Sequence, residues 1–284
     1  MIIVILTLLG VCFGSFVNAV VWRINKQSKN RDKKTSSREQ SIKTPDNLSI
    51  LRGRSMCPNC YHGLSAKDLV PLLSWISLQG KCRYCHKHIS VQYPFVELAT
   101  AVLFVVSYLW WPVALNGVQI SIFVLWFFLA VGFMALFVYD LRWQLLPNRI
   151  IYPLALIAVF SACLNVSASN RPAIALLNYV GAVIIGGGIF YILFQVSAGR
   201  WIGGGDVKLG WVLGLIAGTP ARSLLLLFLA ALLGSLFSLP LLLTNRLKRT
   251  SKIPFGPFLI LGIIIVQLFG ASILHWYQQL FIQF

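Results

Sequence analysis

Eight apolar segments divide this chain, and they constrain its fold more than any other feature. A mean hydropathy of +0.79 with 58% hydrophobic residues is too high for a soluble domain and is typical of a polytopic membrane protein. We therefore predict an all-α polytopic membrane protein with about eight transmembrane helices. The segments are residues 1–22, 97–115, 118–139, 150–167, 174–197, 207–218, 221–244 and 256–280. Segment 207–218 is short for a bilayer about 30 Å thick.

One sizeable polar region separates the first apolar segment from the second. We predict three parts: a first transmembrane helix (1–22), a cytoplasmic loop (23–95) and a transmembrane domain (96–284). Residues 25–50 are rich in Lys, Ser, Asn and Arg, and such a composition predicts flexibility because it offers little to bury. Residues 51–95 hold four cysteines and are predicted to form a small ordered module.

The net charge of +17 raises the question of a nucleic-acid partner, but the distribution of charge favours a membrane explanation. With the N-terminus outside, 22 of the 24 basic residues fall in cytoplasmic loops, and only Arg171 and Arg222 fall outside. Basic residues are retained in cytoplasmic loops of membrane proteins. We therefore predict this orientation, no nucleic-acid partner, and anionic membrane lipids as the partner of the basic 23–95 loop.

Two C-x-x-C pairs, Cys57/Cys60 and Cys82/Cys85, lie in the predicted cytoplasmic loop. Two such pairs at this separation predict a closed, tetrahedral zinc site with a structural role. His62, His86 and His88 are alternative ligands, and a redox role for the pairs is the lesser alternative. Cys12 and Cys163 lie in apolar segments, where a cysteine is usually a packing residue.

Acidic residues are rare, and only Asp140 and Asp206 occur beyond Glu97. An acid at or inside a membrane segment is costly, which makes it a candidate functional residue. The predicted topology places both at the cytoplasmic face, where two carboxylates sharing one proton can form an aspartyl protease dyad. Asp206 follows Gly203, Gly204 and Gly205 and precedes Lys208. These glycines predict an unwound helix start and close approach of a substrate backbone.

Two other interpretations of the aspartates remain open at this point. The aspartates are either interfacial residues that cap a helix and pair with Arg142 or Lys208, or the ion-carrying residues of a proton- or cation-coupled transporter. If they form a dyad, the helix dipoles predict the proton's position. Asp140 ends a predicted helix and Asp206 begins one, so we expect Asp140 to hold the shared proton and Asp206 to be the more acidic partner.

Taken together, these motifs resemble those of the type IV prepilin peptidase family, also called prepilin leader peptidase/N-methyltransferase. The similarity covers most of the chain. The matching stretches are Gly14-Ser15-Phe16-Val17-Asn18 with Arg23, the two cysteine pairs, Pro71-Leu72-Leu73-Ser74-Trp75, Gly80-Lys81-Cys82-Arg83-Tyr84-Cys85, Tyr93-Pro94-Phe95-Val96-Glu97, Asp140 with Pro147-Asn148, Gly203-Gly204-Gly205-Asp206-Val207-Lys208 and Pro254-Phe255-Gly256-Pro257-Phe258.

The resemblance implies a specific reaction in the bacterial inner membrane. Such enzymes remove the leader peptide of type IV prepilins and type II pseudopilins at the cytoplasmic face, and many then methylate the new N-terminus with S-adenosylmethionine. It implies Asp140 and Asp206 as catalytic residues, with the neighbouring glycines and Lys208 in the active-site loop. The methyltransferase residues stay unassigned, with Glu97 a candidate because it is an acid near the membrane edge. A non-enzymatic pilus-assembly scaffold is a further alternative.

Overall fold

The computed structural model describes residues 1–36, 49, 53–244 and 253–282. Within these ranges the chain is helical and has no β-strand, only the isolated bridges Met56–Gly63 and Lys81–His88. The predicted all-α membrane fold is therefore confirmed. Half of the polar 25–50 stretch lies outside the described residues, as do seven basic residues of the charge count: Arg38, Lys43, Arg52, Arg246, Lys248, Arg249 and Lys252.

Seven described helical stretches are long and apolar enough to cross a membrane. They comprise α1 (Ile2–Ser36), α3 (Gln92–Leu109), α4 (Val118–Trp143), α5 (Asn148–Ser167), α6 (Pro172–Val183) continuing into α7 (Ile189–Val196), α9 (Pro220–Leu243) and α10 (Gly256–Ile282). The remaining helices are α2 (Leu73–Ser77) and α8 (Gly204–Ala217). Of the eight predicted segments, only 207–218 lacks a full-length helix.

The chain packs as two compact units, Met1–Val106 and Ser107–Phe284. In the first unit, α1 and α3 touch closely because α1 presents glycines to α3. A side chain at Gly10 or Gly14 would come within 2.5 Å of the backbone of Ala101 or Glu97. Helix α1 also continues past the predicted end at residue 22 as far as Ser36, so the first part of the stretch predicted to be flexible is helical instead.

In the second unit, α8 is short but well buried. Its 14 residues correspond to about 21 Å at 1.5 Å per residue, less than the ~30 Å of a bilayer core. The side chains of Leu209 and Leu213 are fully buried. The helix ends at Gly218, whose φ of 72° is left-handed and suits a glycine. The first residues of α8, Gly204 to Asp206, are half-buried, so they are accessible and can form part of a site.

A glycine-rich π-helical segment, Ile184–Gly188, joins α6 to α7 and packs against α8. A side chain at Gly186 would lie 2.9 Å from the Gly214 Cα, and one at Gly210 would lie 2.6 Å from the Gly186 carbonyl oxygen. Small residues on both sides let the two backbones approach this closely. The second glycine run therefore serves helix packing, and it holds α8 in place.

Candidate active site

Asp140 lies in the last turn of α4 and is almost completely buried. Its side chain is 4% exposed, and its Oδ2 atom has no hydrogen-bond partner among the residues that the structure describes. The Gln144 N–H donates to the Asp140 carbonyl oxygen and closes the helix. A buried carboxylate oxygen without a donor is costly, unless a proton, water or substrate group satisfies it.

Asp206 is the third residue of α8, at the helix N-terminus. Its backbone N–H donates to the Gly203 carbonyl oxygen at 3.1 Å, and its carboxylate lies close to the Gly203 backbone. Asp206 is close enough to Asp140 for its charge to act on that carboxylate. The structure thus brings together the two acids that the sequence places 66 positions apart.

The glycines before Asp206 do not all unwind the helix start. Only Gly203 is extended, with φ −73° and ψ 145°, whereas Gly204 and Gly205 are already helical. A side chain at Gly205 would meet the Leu146 Cβ at 2.9 Å, and one at Gly203 would meet the Asp206 Oδ2 at 3.3 Å. The expected unwinding is therefore limited to one residue, and Gly205 makes room for Leu146.

Leu146 and Gly256 complete the surroundings of the two acids. A side chain at Gly256 would lie 2.6 Å from the Asp140 Oδ2 and 3.5 Å from Leu146. Leu146 therefore contacts both Gly205, next to Asp206, and Gly256, next to Asp140. The Phe255-Gly256-Pro257 sequence, which begins α10, belongs to the site. Its glycine-proline pattern was the one available signal.

The two basic residues near the aspartates have other partners. Lys208 Nζ donates to the Asn148 Oδ1 at 2.9 Å, which joins the start of α8 to the start of α5. The Arg142 guanidinium lies over the Trp143 ring, 5.6 Å from its centre. In the described part of the chain, neither aspartate forms an ion pair with these cations. The interpretation of the aspartates as partners of Arg142 or Lys208 is therefore not supported.

The four predicted zinc ligands converge in the first unit. The Sγ atoms of Cys57, Cys60, Cys82 and Cys85 all lie within 4.8 Å of one another, and Cys57 and Cys85 are 3.9 Å apart. Zn–S bonds of about 2.3 Å in a tetrahedron require sulfur atoms roughly 3.8 Å apart. The thiols therefore fit a zinc ion, and burial raises the pKa of Cys57, so zinc would have to displace its proton.

Both cysteine pairs fold into the same turn, which explains how they converge. The Cys57 N–H donates to the His62 carbonyl and the Tyr61 N–H to the Cys57 carbonyl. Cys82 has the same arrangement with Lys87 and His86. The alternative histidine ligands are outside the thiol group that the described residues form, and His62 instead stacks on Tyr84 with ring centres 3.8 Å apart.

Comparisons with known proteins match both halves of the chain. The model of the bacterial peptidase A24 N-terminal domain matches residues 8–111, and that of the type IV leader peptidase family matches residues 127–239. A prepilin leader peptidase/N-methyltransferase of Aeromonas salmonicida is 31% identical over 95% of this chain and 91% of its own length. The chain belongs to the type IV leader peptidase family.

Other members of the family are similarly close to this chain. The prepilin leader peptidase/N-methyltransferase of Bacillus subtilis is 32% identical over 83% of this chain and 90% of its own length. That of Pseudomonas aeruginosa is 30% identical over 96% and 92%, respectively. No solved structure matches the chain significantly. The leader peptidase match contains Asp140 and Asp206, and the N-terminal match contains the four cysteines.

Glu97 lies in the N-terminal match, in α3 of the first unit. It is 6% exposed, and its Oε2 accepts from the Leu72 N–H at 2.8 Å. Leu72 has a φ of 60°, an uncommon conformation for a residue with a side chain, and the hydrogen bond that it donates to Glu97 on α3 helps to hold it. Glu97 therefore has a structural contact within the first unit.

Proposed function

We propose that this protein is a membrane aspartyl endopeptidase that removes the leader peptide of type IV prepilins and type II pseudopilins. The observation that supports this proposal is that Asp140 and Asp206 lie close to each other, at the ends of two helices of the second unit. Membership of the family and the names of its relatives supply the substrate class. The site of action is the cytoplasmic face of the bacterial inner membrane, which follows from the distribution of basic residues.

The two carboxyl groups share one proton in the resting enzyme. The ionised carboxylate takes a proton from a water molecule, whose oxygen attacks the carbonyl carbon of the scissile peptide. The protonated carboxyl donates a hydrogen bond, then its proton, to the carbonyl oxygen. Collapse of the tetrahedral species breaks the C–N bond, and the leaving nitrogen takes up a proton. The products are a free leader carboxylate and a new N-terminal amine.

The positions of the two acids assign their resting roles. Asp206 lies at a helix N-terminus, where the dipole favours the charged form, and Asp140 lies at a helix C-terminus. Asp140 then holds the shared proton. Infrared titration of Asp140→Asn and Asp206→Asn measures the remaining carboxyl in each. A lower pKa for Asp140 than for Asp206 contradicts this assignment.

The four cysteines of the first unit would hold a zinc ion, and such a metal would organise the module without taking part in the chemistry. The protein also methylates the new N-terminal amine with S-adenosylmethionine, an activity named in its relatives. Anionic lipids are the partner of the basic 23–95 loop.

The test uses a prepilin and the full-length protein in membranes, analysed by mass spectrometry. We expect the wild type to remove the leader and to add a methyl group. Asp140→Asn and Asp206→Asn should insert normally, leave the leader uncut, and still methylate a substrate supplied without its leader. Asp68→Asn, an acid of the first unit, is the matched control and should cut. If either active-site variant removes the leader at the wild-type rate, the proposal is wrong and the transporter and scaffold hypotheses are favoured instead.

A further inference from the structure

The segment that contains α2, residues 66–78, carries apolar side chains on the surface of the first unit. Leu73 is 65% exposed and Ile76 is 63% exposed, and Leu69 and Val70 are exposed as well. These four side chains, within eight consecutive residues, form the α2 patch. A single exposed apolar side chain is ordinary, but a group of them marks a surface that contacts another apolar surface.

The opposite side of this segment is fixed to the module that holds the four cysteines. The Trp75 indole N–H donates to the Ile89 carbonyl oxygen at 3.3 Å. The Trp75 ring also lies against Gly80, where a side chain would come within 2.9 Å of the ring. Trp75 therefore faces the module, and this anchoring leaves Leu73 and Ile76 directed away from it.

Hydrogen bonding and helix packing fix the level of this segment along the membrane-spanning helices of the first unit. The Leu72 N–H donates to the Glu97 Oε2 at 2.8 Å. Gly14 of α1 is packed so closely against Glu97 that a side chain at Gly14 would lie 2.5 Å from the Glu97 Cα. Gly14 precedes Arg23 by nine residues of α1, or about 13 Å along the helix. Leu72 is therefore level with the apolar part of α1, not with its cytoplasmic end.

This level lies inside the hydrocarbon core of the membrane. Residues 1–22 are apolar and Arg23 begins the basic loop, so the cytoplasmic boundary of the membrane lies near Arg23. The headgroup layer on each side of a ~30 Å core is roughly 5–8 Å thick, which is less than the offset from Arg23 along α1. Phe95 and Leu98 of α3, on either side of the glutamate, are also exposed, as apolar residues that face lipid are.

The backbone of the segment suits such an environment, because N–H groups in the hydrocarbon core need partners within the protein. The N–H groups of Ser74 and Ile76 donate to carbonyl oxygens four residues earlier in the chain. Leu72, whose φ of 60° departs from the helical conformation, donates to Glu97 instead. The carboxylate of α3 thus satisfies an N–H group that lies just before α2.

We propose that residues 66–78 enter the cytoplasmic leaflet and that the α2 patch contacts lipid acyl chains. The proposal rests on the proposed orientation, with the 23–95 loop at the cytoplasmic face, and it adds an apolar contact to the headgroup contact of that basic loop. Lys67 is exposed at the start of the segment. Its long stem lets the ammonium group reach anionic headgroups while the patch lies deeper.

The test measures the depth of nitroxide labels in the full-length, zinc-loaded protein by electron paramagnetic resonance. Leu73→Cys and Ile76→Cys are each labelled in a protein in which Cys12 and Cys163 have been replaced by serine, in vesicles of phosphatidylethanolamine and phosphatidylglycerol. The same protein without an added cysteine gives the background from the four module thiols. We expect both labels to be severalfold more accessible to oxygen, which dissolves in the hydrocarbon core, than to a water-soluble nickel chelate.

Gly63→Cys is the matched control within the same module. A side chain at Gly63 would meet nothing within 4 Å, so the label needs no rearrangement. Gly63 follows Tyr61, whose hydroxyl accepts from the Lys26 ammonium at 3.1 Å. Because Lys26 lies beyond Arg23 on α1, this part of the module is outside the hydrocarbon core. The Gly63→Cys label should therefore be more accessible to the nickel chelate than to oxygen.

The possible outcomes separate lipid from other partners of the patch. Labels at Leu73→Cys and Ile76→Cys that prefer the nickel chelate as strongly as Gly63→Cys contradict the proposal. Access to the chelate that is lost only when a prepilin is added assigns the patch to the substrate, and this also contradicts the proposal. Normal zinc content shows that each variant is folded. The measurement requires no cleavage, so a wild type that fails to cut counts against the proposed function and not against this lipid contact.

Discussion

At the scale of single residues, Gly256 lies where any side chain would meet the buried acid. A Cβ there would come within 2.6 Å of the Asp140 Oδ2, closer than real Cβ contacts allow, and Asp140 has little room to move because it is buried. We therefore assign Gly256 a positioning role, which it exerts on the dyad through Asp140.

We predict that Gly256→Ala slows leader cleavage about 100-fold, since displacement of a catalytic group by about 1 Å has effects of this size. Gly234→Ala on α9 is the matched control, because its added Cβ makes only ordinary contact, 3.5 Å from Phe258. Cleavage rates in membranes, normalised to the amount of inserted protein, check this. Equal rates for the two variants would show that Asp140 is not held against Gly256.

At the scale of helices, the packing of α8 against the π-helical segment depends on glycines on both sides of the contact. Gly210→Ala places a methyl group 2.6 Å from the Gly186 carbonyl oxygen, and overpacking of this kind costs about 1–3 kcal/mol. We predict a lower melting temperature in detergent and slower cleavage, because α8 carries Asp206.

Gly188→Ala provides the control for this prediction. It lies in the same π-helical segment, but its added Cβ has only one neighbour, Ile184, at 3.8 Å. It should melt and cut like the wild type. If both variants melt at the wild-type temperature, the close packing of α8 on this segment does not stabilise the position of α8.

The cysteine module yields a prediction about metal. We expect one zinc per chain in protein purified without chelator, because the four thiols fit a tetrahedral site. Cys57→Ser should lose the metal and make residues 53–90 sensitive to protease, since binding and folding of such small modules are coupled. Cys12→Ser and Cys163→Ser should keep the zinc. Elemental analysis gives the answer, and full zinc content in Cys57→Ser would exclude a four-cysteine site.

How far the sequence predicts this site depends on whether the signal is local. Spacing and local context identified the four cysteines, and rarity of acids identified Asp140 and Asp206. The roles of Leu146 and Gly256 depend on packing between distant segments, which no local pattern encodes. The extension of α1 to Ser36 also differs from the flexibility predicted from the polar composition of residues 25–50. A helix that is anchored in an apolar segment can continue into polar residues.

The same limit applies to the buried polar residues of the first unit. Asn18 is recognisable in the sequence only as part of a motif and Glu97 only as an isolated acid. Their burial between α1 and α3 requires Gly14 to pack against Glu97, a tertiary contact. At the level of fold class, by contrast, hydropathy was sufficient, because the segments that span a bilayer must be apolar and helical.

At the scale of the whole molecule, the orientation in the membrane decides which compartment the substrate occupies when it is cut. We predict that Ser169→Cys, near Arg171, is labelled by an impermeant maleimide in intact cells, and that Arg200→Cys is labelled only after the membrane is opened. Both cysteines are introduced into a protein in which Cys12 and Cys163 have been replaced by serine. The four remaining cysteines of the cysteine module should not be labelled from outside. Labelling of Arg200→Cys in intact cells would reverse the proposed topology.

The central claim is that Asp140 and Asp206 act as one catalytic unit. The most direct test compares the rates of leader cleavage by Asp140→Asn, Asp206→Asn and the double variant at equal amounts of inserted protein. We predict that the cleavage rate of each single variant falls by about 10³-fold or more and that the double variant is no slower, because the effects of groups that act together are not additive. A single variant at the wild-type rate, or a double variant slower by the product of both effects, would contradict a shared mechanism.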